Sequence, residues 1–180
     1  MFLRRTIAAA ALLAAGATAV TPYSGPITGT ITDDVTVGGG YSTVTIDGAT
    51  ITGTLTFVTV DANAKVLIKD STIGGDFIIF NQATLTNTAI TFLNVVATGC
   101  SANCVQFDSA LAGTAVSFHG GTITGVTRAV YFTAPADASS SVYFGGGIAL
   151  NTISAGCLTF TSTMACPVTV KNAVFSSTSY

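Results

Sequence analysis

The chain has 180 residues, enough for one domain with a hydrophobic core. Only 8% of its residues are charged, it contains no Glu and no Trp, and its mean hydropathy is +0.66. Eight Asp against six Lys or Arg exclude a strongly basic surface, so no nucleic-acid partner is expected. The longest apolar run, residues 7–18, is interrupted by Gly16 and is too short to cross a bilayer, so no membrane span is expected.

The N-terminus has the layout of an export signal. Arg4 and Arg5 precede an apolar stretch at 7–15 and a small-x-small cleavage motif at 17–19. We expect residues 1–19 to be a signal peptide that is removed from a secreted or cell-surface protein. A buried N-terminal helix is the alternative, but no other segment of the chain reads as a helix against which it would pack.

Four cysteines in an exported chain favour two disulfides. Cys100 and Cys104 are four residues apart, and Cys157 and Cys166 are nine apart. Local pairing within each couple is the simplest of three connectivities, and the sequence leaves the choice open. Neither couple has further Cys or His residues at the spacing of a zinc site, so we expect no metal and no cofactor.

An internal repeat of eight residues recurs six times along the chain. Its first and third positions are apolar in every copy while the second varies, which is the alternation of a strand with one buried face. The copies are Val44–Ile51, Val66–Ile73, Ala83–Ile90, Val116–Ile123, Val142–Ala149 and Val168–Phe175.

The fifth position of each copy holds Gly, Asp or Asn, the residue types that most readily accept a left-handed backbone. These residues are Gly48, Asp70, Asn87, Gly120, Gly146 and Asn172. The sixth position is always Gly, Ala, Ser or Thr, small enough for successive bends to stack closely. Each copy is therefore predicted to be a strand, a tight bend and a second strand.

The copies start 17 to 33 residues apart, which suits a parallel solenoid with insertions in loops at 97–113 and 134–140. We predict an all-β protein, a right-handed parallel β-helix of about six to seven coils. Residues 20–41 are expected to be a lead-in with the first coil, and residues 42–180 the β-helix domain.

The pattern resembles the right-handed parallel β-helix of the pectin-lyase-like superfamily over roughly residues 42–176. The fifth-position residues look like the bend of that superfamily, where stacked Asn residues form a ladder. The resemblance implies a fold and not an activity, because the same fold carries unrelated functions.

The enzymes of that superfamily cluster several Asp residues around calcium or around one scissile bond. Here Asp33 and Asp34 are adjacent, but His119 follows more than eighty residues later, and Arg128 has no acidic residue close in sequence. Acid and base catalysis needs two carboxylates that converge on one bond, and no spacing predicts this. We therefore expect a non-enzymatic protein, with a degenerate polysaccharide lyase or hydrolase as the second alternative.

Threonines alternate with apolar residues in many of the predicted strands and are expected to point outwards. Thr suits an exposed strand, so solubilisation alone accounts for such rows. Outward Thr rows on a flat solenoid also resemble the ice-binding faces of several antifreeze families, which makes ice binding the first alternative function. The candidate threonines are Thr50, Thr52, Thr54, Thr56, Thr72, Thr91, Thr122 and Thr124.

Tyr131 and Tyr143 complete the candidate interaction face, because exposed aromatic rings are platforms for sugars. Solenoid ends expose unpaired backbone, so lateral or end-to-end association of copies is also expected. The sequence thus favours a secreted, structural or adhesive β-helix at the cell surface or in the extracellular matrix. Its expected partners are extracellular polysaccharide or a second copy of itself, with ice as the alternative.

Overall fold

The computed structural model describes residues 18–20, 26–75, 78–152 and 154–177. Most of the expected signal peptide, residues 1–17, lies outside the described residues. In chain order the strands are β1 (Thr18–Val20), β2 (Ile27–Ile31), β3 (Val35–Val37), β4 (Thr43–Ile51), β5 (Leu55–Phe57), β6 (Lys65–Lys69), β7 (Thr72–Ile73), β8 (Ile78–Phe80), β9 (Thr84–Thr86), β10 (Ala89–Cys100), β11 (Asn103–Phe107), β12 (Ala110–Ala112), β13 (Ala115–Gly125), β14 (Arg128–Phe132), β15 (Ser141–Gly145), β16 (Ala149–Thr152), β17 (Gly156–Phe160), β18 (Val168–Val170) and β19 (Val174–Ser177).

The strands form stacked parallel sheets. Strands β1, β3, β5, β8, β11, β14 and β17 make a seven-stranded sheet, which we call wall 1. A ten-stranded sheet bends along its length. Its part before the bend, containing β6, β15 and β18, is wall 2, and its part after the bend, containing β7, β16 and β19, is wall 3. Strands β2, β4, β10 and β13 run through both parts, while β9 and β12 pair as a small separate sheet.

The chain visits wall 1, wall 2 and wall 3 in that order and then returns to wall 1, so each circuit adds one coil. Every pairing between these strands is parallel, as in the pairing of β4 with β6 and of β11 with β14. The predicted all-β parallel solenoid is therefore confirmed. The described chain makes about five turns, slightly fewer than the six to seven expected.

A column of left-handed residues separates wall 2 from wall 3 and explains why the ten-stranded sheet bends there. One residue per coil has a positive φ at the same place, and all are Gly, Asp or Asn. The column is Gly48 (φ 61°), Asp70 (φ 48°), Asn94 (φ 53°), Gly120 (φ 63°), Gly146 (φ 64°) and Asn172 (φ 51°).

The position predicted from the sequence for the third copy of the repeat is wrong. Ile90, not Ala83, pairs in register with Val66, and Ile90 also pairs with Val116 on the next coil. The third bend is therefore at Asn94. Asn87 is also left-handed, with φ 50°, but it belongs to a second bend before wall 2.

Two further expectations change with this register. The sixth position of the third copy is Val95, which is buried and pairs with Gly121, so the position is not always small. The segment 97–113 is not a loop insertion, since it contains the end of β10 and the whole of β11 and β12. With the corrected register, successive coils have nearly the same length, whereas the repeat copies predicted from the sequence were irregularly spaced.

The core consists of apolar columns that repeat from coil to coil. Phenylalanine rings from successive coils stack with their centroids 4.4 to 5.1 Å apart and nearly parallel planes. The column behind wall 1 contains Phe57, Phe80, Phe107, Phe132 and Phe160, and the column behind wall 2 contains Phe92, Phe118 and Phe144. Such offset stacking adds to the free energy gained from burial.

One of the two expected local disulfides is present. Cys100 and Cys104 are bonded, with their Cα atoms 5.3 Å apart. Cys157 and Cys166 are free and buried, which corrects the expectation of a second disulfide. The Cys157 sulfur instead lies 2.8 Å from the carbonyl oxygen of Ser176 and 3.1 Å from that of Leu150, so its thiol has backbone acceptors on both β19 and β16.

Candidate functional site

The candidate threonines do not lie on one face. Thr50 and Thr72 are register neighbours on wall 3, and Thr122 lies in the same outward row two coils further along. Val96, 37% exposed, stands between Thr72 and Thr122. The row is therefore interrupted in its middle.

A second outward row of wall 3 contains Thr52 and Thr124. The corresponding position on the coil after Thr52 is Gly74, whose N–H donates to the carbonyl of Ile51. Thr124 pairs with Asn151 on the following coil. This row also lacks a continuous series of hydroxyls.

Two threonines that the sequence analysis did not include extend both rows at the N-terminal end. Thr30 pairs with Thr50 in register. The Thr52 hydroxyl donates to the carbonyl oxygen of Thr32 at 3.1 Å. Together with Thr72 these residues form a small polar patch over three coils, which we call the threonine patch.

The other candidate threonines point elsewhere because the chain turns a corner at 52–54. Gly53 permits this corner, since a Cβ atom there would lie 2.5 Å from the backbone carbon of Asp33. Thr54 lies at the corner, where its N–H donates to Asp34 Oδ1 at 2.7 Å, and Thr56 faces outwards from wall 1. Thr91 is on wall 2 and accepts a hydrogen bond from the Ser117 hydroxyl at 3.2 Å.

Tyr131 lies in the outward row of wall 1 and is the centre of a polar cluster. It pairs in register with Gln106 on the preceding coil and with Thr159 on the following coil. The guanidinium carbon of Arg128 lies 4.4 Å from the centroid of the Tyr131 ring, a cation–π contact within the same strand. The hydroxyl of Thr161 lies 3.4 Å from the Tyr131 hydroxyl.

Hydrogen bonds connect the polar side chains of this wall into one chain. Asn103 Nδ2 donates to Gln106 Oε1 at 2.9 Å, and Gln106 Nε2 donates to both oxygens of Asp108 at 2.8 and 2.9 Å. The Thr133 hydroxyl donates to Asp108 Oδ1 at 2.7 Å. Arg128 Nη1 lies 3.5 Å from Asn103 Oδ1, so this series of hydrogen-bonded side chains runs from the Arg128 guanidinium to the Asp108 carboxylate.

We call Asn103, Gln106, Asp108, Arg128, Tyr131 and Thr133 the wall 1 cluster. Its members are partly exposed, except for Asn103, which is buried. Arg128 Nε is buried and has no hydrogen-bond partner among the described residues. The mutual hydrogen bonds hold these side chains in one geometry.

Tyr143 lies on a different wall from Tyr131. It is in the outward row of wall 2, where it pairs with Ser117 and Thr169. Its ring centroid is 5.0 Å from that of His119, with the rings tilted by 32°. No comparable chain of amides and a carboxylate is found beside it among the described residues.

Charged residues elsewhere make separate local contacts. Lys69 Nζ lies 2.9 Å from Asp47 Oδ2, and this hydrogen bond and charge raise the pKa of Lys69. Asp137 Oδ1 accepts hydrogen bonds from the hydroxyls of Ser139 and Ser140 and from the Gly113 N–H, which lower the pKa of Asp137 to about 2. Both carboxylates serve as structural acceptors at bends.

The described residues contain no group of three or more His, Cys, Asp or Glu side chains placed to hold a metal ion. They also contain no helix that is long and apolar enough to cross a membrane. The wall 1 cluster contains a single carboxylate, Asp108. The chemistry available there is hydrogen bonding, aromatic stacking and one accessible cation.

Most of the wall 1 cluster was missed in the sequence because its residues do not follow the eight-residue repeat. Gln106 and Tyr131 are 25 residues apart, which is one coil, and they become neighbours only through the pairing of β11 with β14. A search for polar outward residues at the coil spacing would have found this pair.

Comparison with protein-family models, curated proteins and solved structures finds no match to this chain.

Proposed function

We propose that this chain is a secreted, non-enzymatic β-helix that adheres to extracellular polysaccharide through wall 1. The observation that carries the proposal is the outward, partly exposed ring of Tyr131, which contacts Arg128 on one side and is bordered by Gln106 on the preceding coil. Aromatic rings beside amide and carboxylate groups suit sugars, because pyranose rings combine an apolar face with a rim of hydroxyls.

The hydrogen-bonding capacity of the cluster supports the same ligand class. The Gln106 amide group is occupied by Asn103 and Asp108, whereas Arg128 retains N–H donors and Asp108 retains acceptor capacity. A sugar hydroxyl donates and accepts at once, so it can bridge a cation and a carboxylate. Stacked coils repeat about every 4.8 Å, close to the length of one sugar unit along an extended glycan.

A non-enzymatic role is supported by the single carboxylate of the cluster. Glycoside hydrolysis by acid and base uses two carboxyl groups on either side of one bond. Asp108 already accepts hydrogen bonds from Gln106 Nε2 and the Thr133 hydroxyl. A carboxylate held in this way orients a ligand and is poorly suited to abstract a proton.

We further propose that the solenoid is a right-handed helix of the pectin-lyase-like type. Its left-handed bend column and the hydrogen bond from Asn94 to Asp70 support this assignment. Export through the signal peptide at 1–19 is part of the same proposal, supported by the disulfide between Cys100 and Cys104.

Affinity electrophoresis in gels containing soluble polysaccharides tests the proposal. We expect retardation of the wild-type protein in at least one neutral or acidic glycan and a loss of binding of tenfold or more in Tyr131→Ala. Tyr143→Ala is the matched control, since this tyrosine is equally outward but lies on wall 2, and its binding should equal that of the wild type.

Absence of retardation in all glycans, or equal losses in both tyrosine variants, would contradict polysaccharide binding by wall 1. Incubation of a bound glycan with the protein should release no reducing ends and no unsaturated products. Release of either would contradict the non-enzymatic assignment while leaving the binding site in place.

Ice binding is a second candidate, and the threonine patch is the observation that favours it. Thr30, Thr50 and Thr72 follow one another on three coils, and Thr32 lies beside Thr52. Val96 interrupts this row between Thr72 and Thr122. If wall 3 binds ice, Val96→Thr should strengthen inhibition of ice recrystallisation and Thr50→Lys should abolish it. A wild-type protein without effect on recrystallisation would exclude this candidate.

A further inference from the structure

The first strand of the solenoid overlaps the end of the expected signal peptide. Strand β1 (Thr18–Val20) pairs in parallel with β3 (Val35–Val37), residue by residue and without a register shift. Removal of residues 1–19 leaves a single residue of β1, Val20. The position of the cleavage therefore decides whether the exported protein keeps its first strand.

The sequence contains two small-x-small motifs at this point, which overlap by one residue. Ala15-Gly16-Ala17 lies two residues before Ala17-Thr18-Ala19, and both have small residues at the two positions that a signal peptidase requires. Cleavage at the earlier motif makes Thr18 the first residue of the mature chain, and cleavage at the later motif makes it Val20. The motifs alone do not choose between these two products.

Backbone hydrogen bonds distinguish the two products. Val35 and Val37 direct their backbone groups towards β5 on the following coil. By strand alternation, the N–H and C=O groups of Thr36 face β1. In the register of β1 with β3, the partners of these two groups are the C=O of Thr18 and the N–H of Val20. Thr36 is therefore fully paired only when both ends of β1 are present.

Cleavage at the later motif removes one of these partners. The Thr36 N–H loses its acceptor on Thr18, and β3 becomes an open edge. Beside this edge lie Val35 and Val37, which are at most 2% exposed in the described part of the chain. An open strand edge beside apolar side chains is a template for pairing with other chains. Cleavage at the earlier motif leaves the ladder between β1 and β3 complete.

We propose that the export signal consists of residues 1–17 and that the mature chain begins at Thr18. This inference rests on the proposed export and moves its cleavage point by two residues. A signal peptidase uses water to hydrolyse the peptide bond between Ala17 and Thr18, which leaves a carboxylate on the released peptide and an α-ammonium group on Thr18. The peptidase cuts the chain before it folds, and the product of this cut retains all of β1.

The charge of the new N-terminus also fits the first coil. Thr18 lies beside Val35, so its α-ammonium group is next to the preceding residue, Asp34. The sequence has no Lys or Arg between residues 18 and 64, so this group is the first cation of the mature chain and is attracted to the carboxylates of Asp33 and Asp34. A chain that begins two residues later carries the same charge about 6.6 Å further along the strand.

Intact mass and N-terminal sequencing of the protein from the medium of a secreting host test the proposal. We expect a single exported species that begins at Thr18. An exported chain that begins at Val20 would overturn this inference and leave the proposed export in place. A chain that stays in the cell with residues 1–17 attached would contradict the export and the inference together.

Two matched variants separate the motifs, because Ala15 belongs only to the earlier one and Ala19 only to the later one. Ala19→Phe should still be cleaved before Thr18. Ala15→Phe should lose this cleavage, so that the chain is unprocessed or begins at Val20. Normal cleavage of Ala15→Phe before Thr18, or loss of cleavage in Ala19→Phe, would overturn the proposal.

A second measurement tests what β1 contributes to the folded protein. A chain released from a fusion so that it begins at Thr18 should melt about 2 to 4 °C higher than one that begins at Val20, because the shorter chain loses a backbone hydrogen bond. Thr18→Ala in the longer chain is the control, since it keeps the backbone groups and should melt like its parent. Equal melting temperatures of the longer and shorter chains in calorimetry would overturn the proposed role of β1.

Discussion

Asn94 lies directly next to Asp70 in the bend column, and its side-chain Nδ2 donates a hydrogen bond to Asp70 Oδ1 at 3.1 Å. Both residues have a left-handed backbone, with φ of 53° and 48°. The bond therefore joins two adjacent coils at the point where each turns from wall 2 to wall 3. The same two residues thus provide the left-handed backbone that each bend requires and a hydrogen bond between the stacked coils.

The bend at Asn94 is expected to be sensitive to the type of residue. Asn94→Val loses the hydrogen bond to Asp70 and forces a β-branched residue into the left-handed region, so we expect a loss of about 2 to 3 kcal/mol in the free energy of unfolding. Asn94→Gly loses only the hydrogen bond and should cost about 1 kcal/mol. Urea denaturation measures both, and equal losses would contradict a backbone contribution at this bend.

The phenylalanine column behind wall 1 should carry a large part of the stability. Phe107 is fully buried and its ring stacks on Phe80 at 4.7 Å and on Phe132 at 4.6 Å. Phe107→Ala should lower the free energy of unfolding by about 3 to 5 kcal/mol. Phe160→Ala, at the half-buried end of the same column, should cost clearly less. A similar midpoint shift for both variants in chemical denaturation would argue against a contribution that depends on position in the stack.

Asp137 should make stability depend on acidic pH. The hydroxyls of Ser139 and Ser140 and the Gly113 N–H lower its pKa to about 2 in the folded protein, against about 3.9 in an unfolded chain. Because the folded pKa is the lower one, the stabilisation is complete above about pH 4 and is lost as the pH falls towards 2.

The matched variant is Asp137→Asn, which keeps the shape of the side chain without its charge. Its melting temperature should lie below that of the wild type at pH 6, and the difference should shrink as the pH is lowered from about 4 to 2. A constant difference across this range would show that the charge of Asp137 does not contribute.

The arrangement of the four cysteines predicts how many free thiols a titration should detect. Cys157 and Cys166 are free and buried, and burial raises the pKa of Cys166, so both thiols should react slowly in the folded protein. Unfolding without a reductant should expose two reactive thiols per chain, because Cys100 and Cys104 are bonded. A count of zero in a thiol titration would mean that Cys157 and Cys166 pair with each other.

The candidate site could be predicted only in part. Tyr131 was identified as a candidate exposed aromatic ring, and the structure places it in the outward row of wall 1. Its partners Gln106 and Asp108 were not identified, because they lie one coil earlier and their contacts depend on the register between β11 and β14. The four threonines from 50 to 56 were placed on one face, whereas the corner at Gly53 divides them between two walls.

The sequence by itself determined the architecture, because its two signals are local. Alternation of apolar residues defines strands with one buried face, and Gly, Asp or Asn at a constant position defines a bend. Both signals are properties of a few consecutive residues, so they can be recognised without knowing how neighbouring strands pair. They were sufficient to predict stacked parallel coils.

Only the tertiary structure decided which coil residues stack on which. Asn87 and Asn94 are both left-handed, so the backbone alone does not choose between them as the third member of the bend column. The choice follows from packing, since Phe92 fits its column only when Ile90 pairs with Val66 and Val116. The wall 1 cluster and the environment of the free thiols depend on such contacts between residues about one coil apart.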